Sequence, residues 1–327
     1  MIAAVGRQWF LLALAGVLVV GSAAHATLAA FTASIPKDAL VFAIMLAMSA
    51  PLDLKRSLNS RTAALAVAIG VGVNAGLAGP LAWLAGRGLP SELALGLVIA
   101  ALSPCTLASA AVWTRRGGGV EAVALGVTVV TNLLSFLVLP AWAWTLLGQG
   151  AEIDAVALGT RLLLIVVAPI ALGQMLRKAS GFRAWSDRHR KRLSLAAQLG
   201  LLGMVLIGAV RTGAVLTDPA TRLGPTVWGG LIVAAAAVHT ALFAIAWSAS
   251  RGAGVPRPEA LASAVAGSQK TLAVGLSVAM EYGSLAILPM IVYHALQLLI
   301  DTVLVDRLRV PPESSPRQTS ETGDGEA

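Results

Sequence analysis

The sequence predicts an all-α polytopic membrane protein, and three observations carry that prediction. The first is composition: 57% of the 327 residues are hydrophobic and 12% are charged, whereas about a quarter of a soluble domain is charged. The second is segment length. Ten apolar stretches, 9–30, 37–53, 62–86, 91–113, 119–147, 154–176, 194–214, 226–249, 258–281 and 283–304, approach or exceed the roughly 20 residues that cross a bilayer. The third is where the charge lies. Of the 24 Lys and Arg residues, 18 sit at the termini or in loops after even-numbered stretches. Basic loops mark the cytoplasmic side, so both termini are expected there, in the cell (inner) membrane.

Each stretch has its own justification. The first resembles a signal peptide because Arg7 precedes it, but its apolar run continues towards Phe31, which favours a retained helix. The third and eighth carry one buried-looking polar residue each, Asn74 and His239. The fourth contains Pro104, which removes a backbone donor and should kink or unwind its helix. Gly117, Gly118 and Gly119 then form a tight turn, which lacks the Lys-Ser/Thr ending of a phosphate loop. The fifth stretch holds Thr128 and Asn132, the ninth Lys270 and the tenth His294. The basic loop 177–192 is the natural joint between two halves. Residues 310–327 are polar and rich in Pro, Ser, Glu and Gly, as a disordered cytoplasmic tail would be.

The halves repeat weakly. Ser103, Thr106, Leu107 and Ala108 return as Ser268, Thr271, Leu272 and Ala273, 165 positions later, and Asn74 returns as His239 at the same offset. Five stretches per half is an odd number, so similar halves must insert in opposite orientations. The expected organisation is a first five-helix repeat over 1–150 and a second, inverted one over 151–309. Paired interruptions in corresponding helices are the best sequence pointer to a transporter's binding site, because hydrocarbon tolerates irregular backbone only where it lines a protein cavity.

The candidate substrate- or ion-binding residues follow from those interruptions: Ser103, Pro104, Thr106 and Ser109 in the fourth stretch, and Ser268, Gln269, Lys270 and Thr271 in the ninth. Asn74, Thr128, Asn132, His239 and His294 complete the set. Lys270 is the sharpest, since a Lys at mid-helix costs about 2.5–3.5 kcal/mol on insertion scales and should face a cavity or a partner. Bland alternatives stand beside these readings. Membrane Ser and Thr often bond only to their own backbone, a lone His is often a packing residue, and a shifted ninth span would carry Lys270 to an interface. Asp53, Glu259, Glu281 and Asp301 all fall near stretch ends, so no ion site built on a buried carboxylate is expected. The single Cys excludes an intramolecular disulfide and a multi-thiolate metal site within the chain. A net charge of +8 spread over short loops does not form the basic surface that nucleic acid needs. No nucleophile arrangement is present, and no enzyme is expected.

Several stretches taken together resemble a known family. They are Ser-Pro-Cys-Thr-Leu-Ala-Ser at 103–109, Arg-Gly-Gly-Gly-Val-Glu-Ala at 116–122, Val-Thr-Val-Val-Thr-Asn at 127–132, Gly-Ser-Gln-Lys-Thr-Leu-Ala at 267–273 and Leu-Pro-Met-Ile-Val-Tyr-His at 288–294. Over about residues 37–305 the chain resembles the bile acid:sodium symporter superfamily, in particular its SBF-like branch. The resemblance implies ten transmembrane helices in two inverted repeats, split into panel and core domains, with broken helices 4 and 9 crossing in the core. It implies a small organic anion, bile-acid-like or another amphipathic carboxylate or sulfate, bound between the domains, and sodium behind the crossing. Ser109, Thr128 and Gln269 fall on sodium-ligating positions of that family, and Asn74 falls near another. The departures are Ala110 where the family has Asn, Val265 or Ala266 near its acidic ligand, and Ala124 near a hydroxyl position. Hard cations need several oxygen ligands. Lys270 is therefore expected to stand in for a cation, giving sodium-independent or proton-linked transport or attracting the anion directly. No cofactor is expected beyond Na+ or H+ as a coupling ion. Two alternatives are an arsenite-type efflux permease using Cys105 and a non-transporting membrane regulator of ion uptake. Oligomeric state is left open.

Overall fold

A computed structural model describes residues 2–53, 60–107, 109–147, 153–217 and 223–309. The tail 310–327 and Ala108 of the first motif lie outside the described residues. Every regular element among those described is helical. Six helical segments are long and apolar enough to cross a membrane, and a seventh counts if one bent pair is taken as a single span. The chain is a multi-pass membrane protein.

The bent pair is α1 (Ile2–Ala23) and α2 (His25–Ala33), which meet at 104°. The single straight first helix expected from hydropathy is thus corrected. No proline marks the bend. Ala24 leaves the helical region at φ −98°, ψ 24°, where the backbone of α12 (Arg190–Leu216) presses closely. A Cβ on Gly213 would lie 2.6 Å from the carbonyl of Ser22. Helix α3 (Lys37–Ser49) has 13 residues and stops just before Pro51, which has no N–H with which to extend the ladder.

Two long spans are continuous but slackened by a π-helical turn. In the first, α4 (Arg61–Val71) passes through Gly72–Leu77 into α5 (Ala78–Ala85). In the second, α9 (Ala155–Leu162) passes through Leu163–Val167 into α10 (Ala168–Leu176). Such turns shift carbonyls out of the regular ladder and occur often at functional sites. Caps fix both starts: Ser60 Oγ accepts from Ala63 N, and Asp154 accepts from Val156 N and Ala157 N, as N-cap side chains do.

Two spans are broken. The first break separates α6 (Ser91–Leu102) from α7 (Ser109–Arg116), and the second separates α14 (Arg257–Ser268) from α15 (Leu272–Tyr282). The unbroken long helices are α8 (Glu121–Leu147), α12, α13 (Pro225–Gly252) and α16 (Ile287–Arg307). A short helix, α11 (Ser180–Arg188), occupies the basic joint, where only a loop was anticipated.

The helices form two packing groups. Helices α1, α2, α3 and α10 gather round α12 and one another, while α4, α6, α8, α13, α14, α15 and α16 interlock around the broken spans. Small residues allow that interlocking. A Cβ on Gly275 of α15 would lie 2.8 Å from Ser103 Oγ, so this glycine lets the two broken spans touch.

Candidate functional site

Each broken span ends its first helix in the same way. Ser103 turns to φ −60°, ψ 141° after α6, and Gln269 to φ −73°, ψ 145° after α14. The serine hydroxyls cap their own helices: Ser103 Oγ donates to Ile99 O at 2.9 Å, and Ser268 Oγ donates to Ala264 O at 2.9 Å. Neither serine lines the cavity described below, so both hydroxyls take the local reading. The two breaks meet directly, because Thr271 N donates to the carbonyl of Pro104 at 2.8 Å.

Unwound backbone buried this deeply needs partners for its polar groups. At the first break they come from α8. Asn132 Nδ2 donates to Cys105 O at 2.7 Å, Thr131 Oγ1 accepts from Cys105 N at 3.2 Å, and Thr128 Oγ1 donates to Thr106 O at 3.4 Å. At the second break they come from three segments. Asn74, in the π-helical turn, places Nδ2 3.1–3.3 Å from the carbonyls of Ala266, Gly267 and Gln269. Gln297 on α16 accepts from Lys270 N at 2.8 Å and donates to Lys270 O at 3.1 Å. Tyr293 Oη donates to Ser268 O at 3.1 Å.

Lys270 is fully buried. Its Nζ donates to the carbonyl of Asn74 at 3.0 Å, one of the groups in the π-helical turn. Its neighbour in sequence, Gln269, reaches a carboxylate that sequence reasoning had placed near a span end. Asp301 is fully buried; Gln269 Nε2 donates to its Oδ2, and His239 Nε2 lies 2.9 Å from its Oδ1. The expectation of no buried carboxylate is therefore corrected. Helix α16 runs on to Arg307, which brings Asp301 well inside the protein. His239 also sets Nδ1 3.3 Å from Ser268 O. Both of its partners are oxygens, while a neutral imidazole has one N–H.

Gln269 links this buried group to the surface of a cavity. Its Oε1 accepts from Ser109 Oγ at 2.8 Å, and Ser109, Thr106 and His294 line a cavity of about 890 Å³. The cavity's flanks are apolar, with Phe10, Leu52 and Trp113, and its rim is charged, with Arg115, Arg177, Arg190 and Lys191 beside Asp53, Glu121 and Asp187. Arg177 bonds Asp187 at 2.8 Å and Ala50 O at 3.1 Å. The hydrogen bond from Arg177 holds the Asp187 carboxyl below its ordinary range.

A second charged cluster lies between α3, α9 and α15. Arg161 pairs with Asp38 and lies 3.5 Å from Glu281, Lys37 pairs with Glu281, and Arg161 Nη2 donates to Ser277 Oγ at 2.8 Å. These residues do not line the cavity.

The sequence-derived set thus divides. Asn74, His239, Gln269, Lys270 and Thr271 converge on the second break. Thr128 and Asn132 hold the first, and Thr106, Ser109 and His294 face the cavity. Of the three residues matched to sodium ligands, Ser109 and Gln269 bond each other, while Thr128 bonds Cys105 Sγ at 3.2 Å. Val265 and Ala266 are apolar and fully buried. Cys105 is buried and does not line the cavity. Four contributors were missed: Thr131 and Tyr293 and, on one face of α16, Gln297 and Asp301. The signal for the last two was present: His294, Gln297 and Asp301 share one helical face at spacings of three and four, and Gln297 follows Asn132 at the 165-residue offset.

Residues 8–310 match the SBF-like CPA transporter family. A probable sodium/metabolite cotransporter BASS4, chloroplastic, from Arabidopsis thaliana is 30% identical over 229 residues, 66% of this chain and 52% of that protein. The same-named protein from Oryza sativa subsp. japonica is 27% identical over 236 residues, 66% of this chain and 55% of that one. Sodium/bile acid cotransporter 7 from Rattus norvegicus is 23% identical over 222 residues, 65% of this chain and 64% of that one. The aligned region spans between about half and two thirds of these relatives' length. With nearly its whole length matched, the chain belongs to the SBF-like CPA transporter family, a branch of the bile acid:sodium symporter superfamily.

Proposed function

We propose that this chain is a secondary transporter that moves an amphipathic organic anion across the cell (inner) membrane by alternating access. Its ten spans form two inverted five-helix repeats, 1–150 and 151–309, with both termini cytoplasmic. The observation that carries the reading is the hydrogen bond from Thr271 N to Pro104 O. It joins two buried helix breaks beside a cavity with apolar flanks and a charged rim of four basic and three acidic residues. The cavity volume suits a small-molecule ligand. The apolar flanks fit the body of an amphipathic molecule and the rim fits its charge. Arg115, Arg177, Arg190 and Lys191 lie in the loops that the positive-inside rule assigns to the cytoplasm, so the cavity opens inward. The Lys37–Asp38–Arg161–Glu281 cluster closes the opposite end.

Lys270 serves as a fixed cation in this reading. It replaces a coupling sodium rather than binding beside one. Transport then proceeds without a sodium requirement.

Ligand-induced thermal stabilisation of the purified protein by cholate, with and without sodium, tests this beside Lys270→Ala. A ligand at a hundred times its Kd adds about 2.7 kcal/mol to the folded state. Cholate should stabilise the wild type equally in both buffers and fail on the variant. Stabilisation by sodium alone overturns the fixed-cation reading. Absence of both cholate stabilisation and labelled-cholate uptake into proteoliposomes overturns the substrate class.

A further inference from the structure

The joint between α10 and α12 carries an arrangement that the transport reading does not use. Helix α11 bears a stripe of stacked rings. Phe182 and Trp185 have centroids 5.5 Å apart, and Trp185 and His189 lie 5.2 Å apart. Trp185 is 46% exposed. Around that stripe Lys178, Arg183, Arg188, Lys191 and Arg192 are all exposed. Among the described residues, none of these five has a carboxylate in salt-bridge contact. The one acid on the helix, Asp187, is taken by Arg177.

The helix is also tied down. Arg177 Nη1 donates to Ser186 Oγ at 3.0 Å and to Ala50 O at 3.1 Å, and Arg190 donates to Pro51 O at 2.9 Å. These bonds hold α11 against the end of α3. Five unpaired cations with exposed rings among them, beside the ends of two membrane spans, match an interfacial helix. Aromatic rings anchor such a helix at headgroup depth, and Lys and Arg attract anionic lipid.

We propose that α11 and its flanking turns are a docking surface for the headgroups of anionic phospholipids. The partner is identified by charge complementarity: the patch offers several donors to phosphate and has no free carboxylate of its own. The ring stripe distinguishes a lipid from a free phosphate, because it needs an apolar layer against which to rest. Arg177, Asp187, Arg190 and Lys191 also line the cavity, so lipid at α11 sits against the cavity rim. The inference rests on the membrane setting of the chain and not on the identity of its cargo.

The test uses the full chain in nanodiscs of mixed phosphatidylcholine and phosphatidylglycerol, with retained lipids counted by native mass spectrometry. The wild type should retain phosphatidylglycerol preferentially. Each basic residue near a membrane surface contributes about a fivefold preference, so Arg183→Gln with Arg188→Gln should lower it by one order of magnitude or more. Trp185→Ala should weaken retention while leaving charge selectivity. Arg251→Gln with Arg257→Gln, a charge-matched control elsewhere, should leave the preference unchanged. The proposal is overturned by equal retention of both lipids, by an equal loss in the control, or by glycerol phosphate displacing the lipid at equal concentration. Circular dichroism of each variant confirms that the fold is intact, and the control pair separates a local effect from net charge.

Discussion

The two breaks resemble each other in backbone and differ in how they are held. The first is tied through Thr128, Thr131 and Asn132 of α8 and by the main-chain bond from Thr271 N. The second is tied by Asn74, His239, Tyr293 and Gln297, and its own Gln269 and Lys270 reach out to Asp301 and Asn74. Thr106 at the first break and Ser109 just after it meet the cavity, whereas Gln269, Lys270 and Thr271 do not. One break is therefore a lightly held wall of the cavity, and the other is a clamped, charged anchor behind it. Burial explains the difference: a cation and a carboxylate removed from solvent demand many compensating bonds, and those bonds also fix the backbone.

Removing the anchor's carboxylate is the most severe way to break this comparison. Asp301→Ala leaves Gln269 Nε2 and His239 Nε2 without their acceptor in a dry interior, and losing one partner of a buried ionic group costs about 3–5 kcal/mol. Thermal unfolding in detergent should show the full loss. Gln297→Leu against Asn132→Leu sharpens the contrast. The first strands two buried backbone groups and the second only one, each at about 1–3 kcal/mol. Unfolding should therefore report roughly twice the loss for Gln297→Leu. Equal losses would mean that the two breaks are held alike.

Smaller effects belong to the ends of the molecule. Arg161→Gln removes the centre of the cluster on α3, α9 and α15. Its partners Asp38 and Glu281 are 46% and 42% exposed, so stability should fall by about 1 kcal/mol or less. Thiol labelling of an Ala279→Cys reporter on α15 should nevertheless rise as that end loosens. Smallest is the acid response of α11. Arg177 depresses the Asp187 carboxyl, so its contribution is complete above the ordinary Asp value of about 3.9 and is lost as pH falls through the lower folded value. Trp185 emission, isolated by difference against Trp185→Phe, should show a step below about pH 4. In Asp187→Asn that step should be absent.

Much of this was legible in the residues. Hydropathy and basic loops marked a multi-pass membrane chain, and Pro104 and Lys270 marked both breaks, because each is costly in an apolar helix. The bend at Ala24 was not legible, since it arises from the close approach of Gly213 on α12 and not from any local helix breaker. Asp301 was misjudged because distance from a span's end stood in for depth. A helix face predicts depth better: His294, Gln297 and Asp301 form a polar line on an otherwise apolar helix, and such a line points inward. The contacts of Lys270 lay beyond any sequence pattern, since its partner is a backbone carbonyl freed by a π-helical turn.

The bond from Thr271 N to Pro104 O has a genetic consequence. It is made wholly of main-chain atoms, and proline, which cannot donate, still supplies the acceptor. Codon changes at either position, other than to proline at Thr271, therefore leave its chemistry untouched so long as the chain keeps its course. The junction is shielded from ordinary mutation, while the side chains around it are free to diversify. Cutting it takes a change of backbone: an ester in place of the amide at Thr271, installed by semisynthesis, deletes the N–H while also weakening Lys270 O as the acceptor of Gln297.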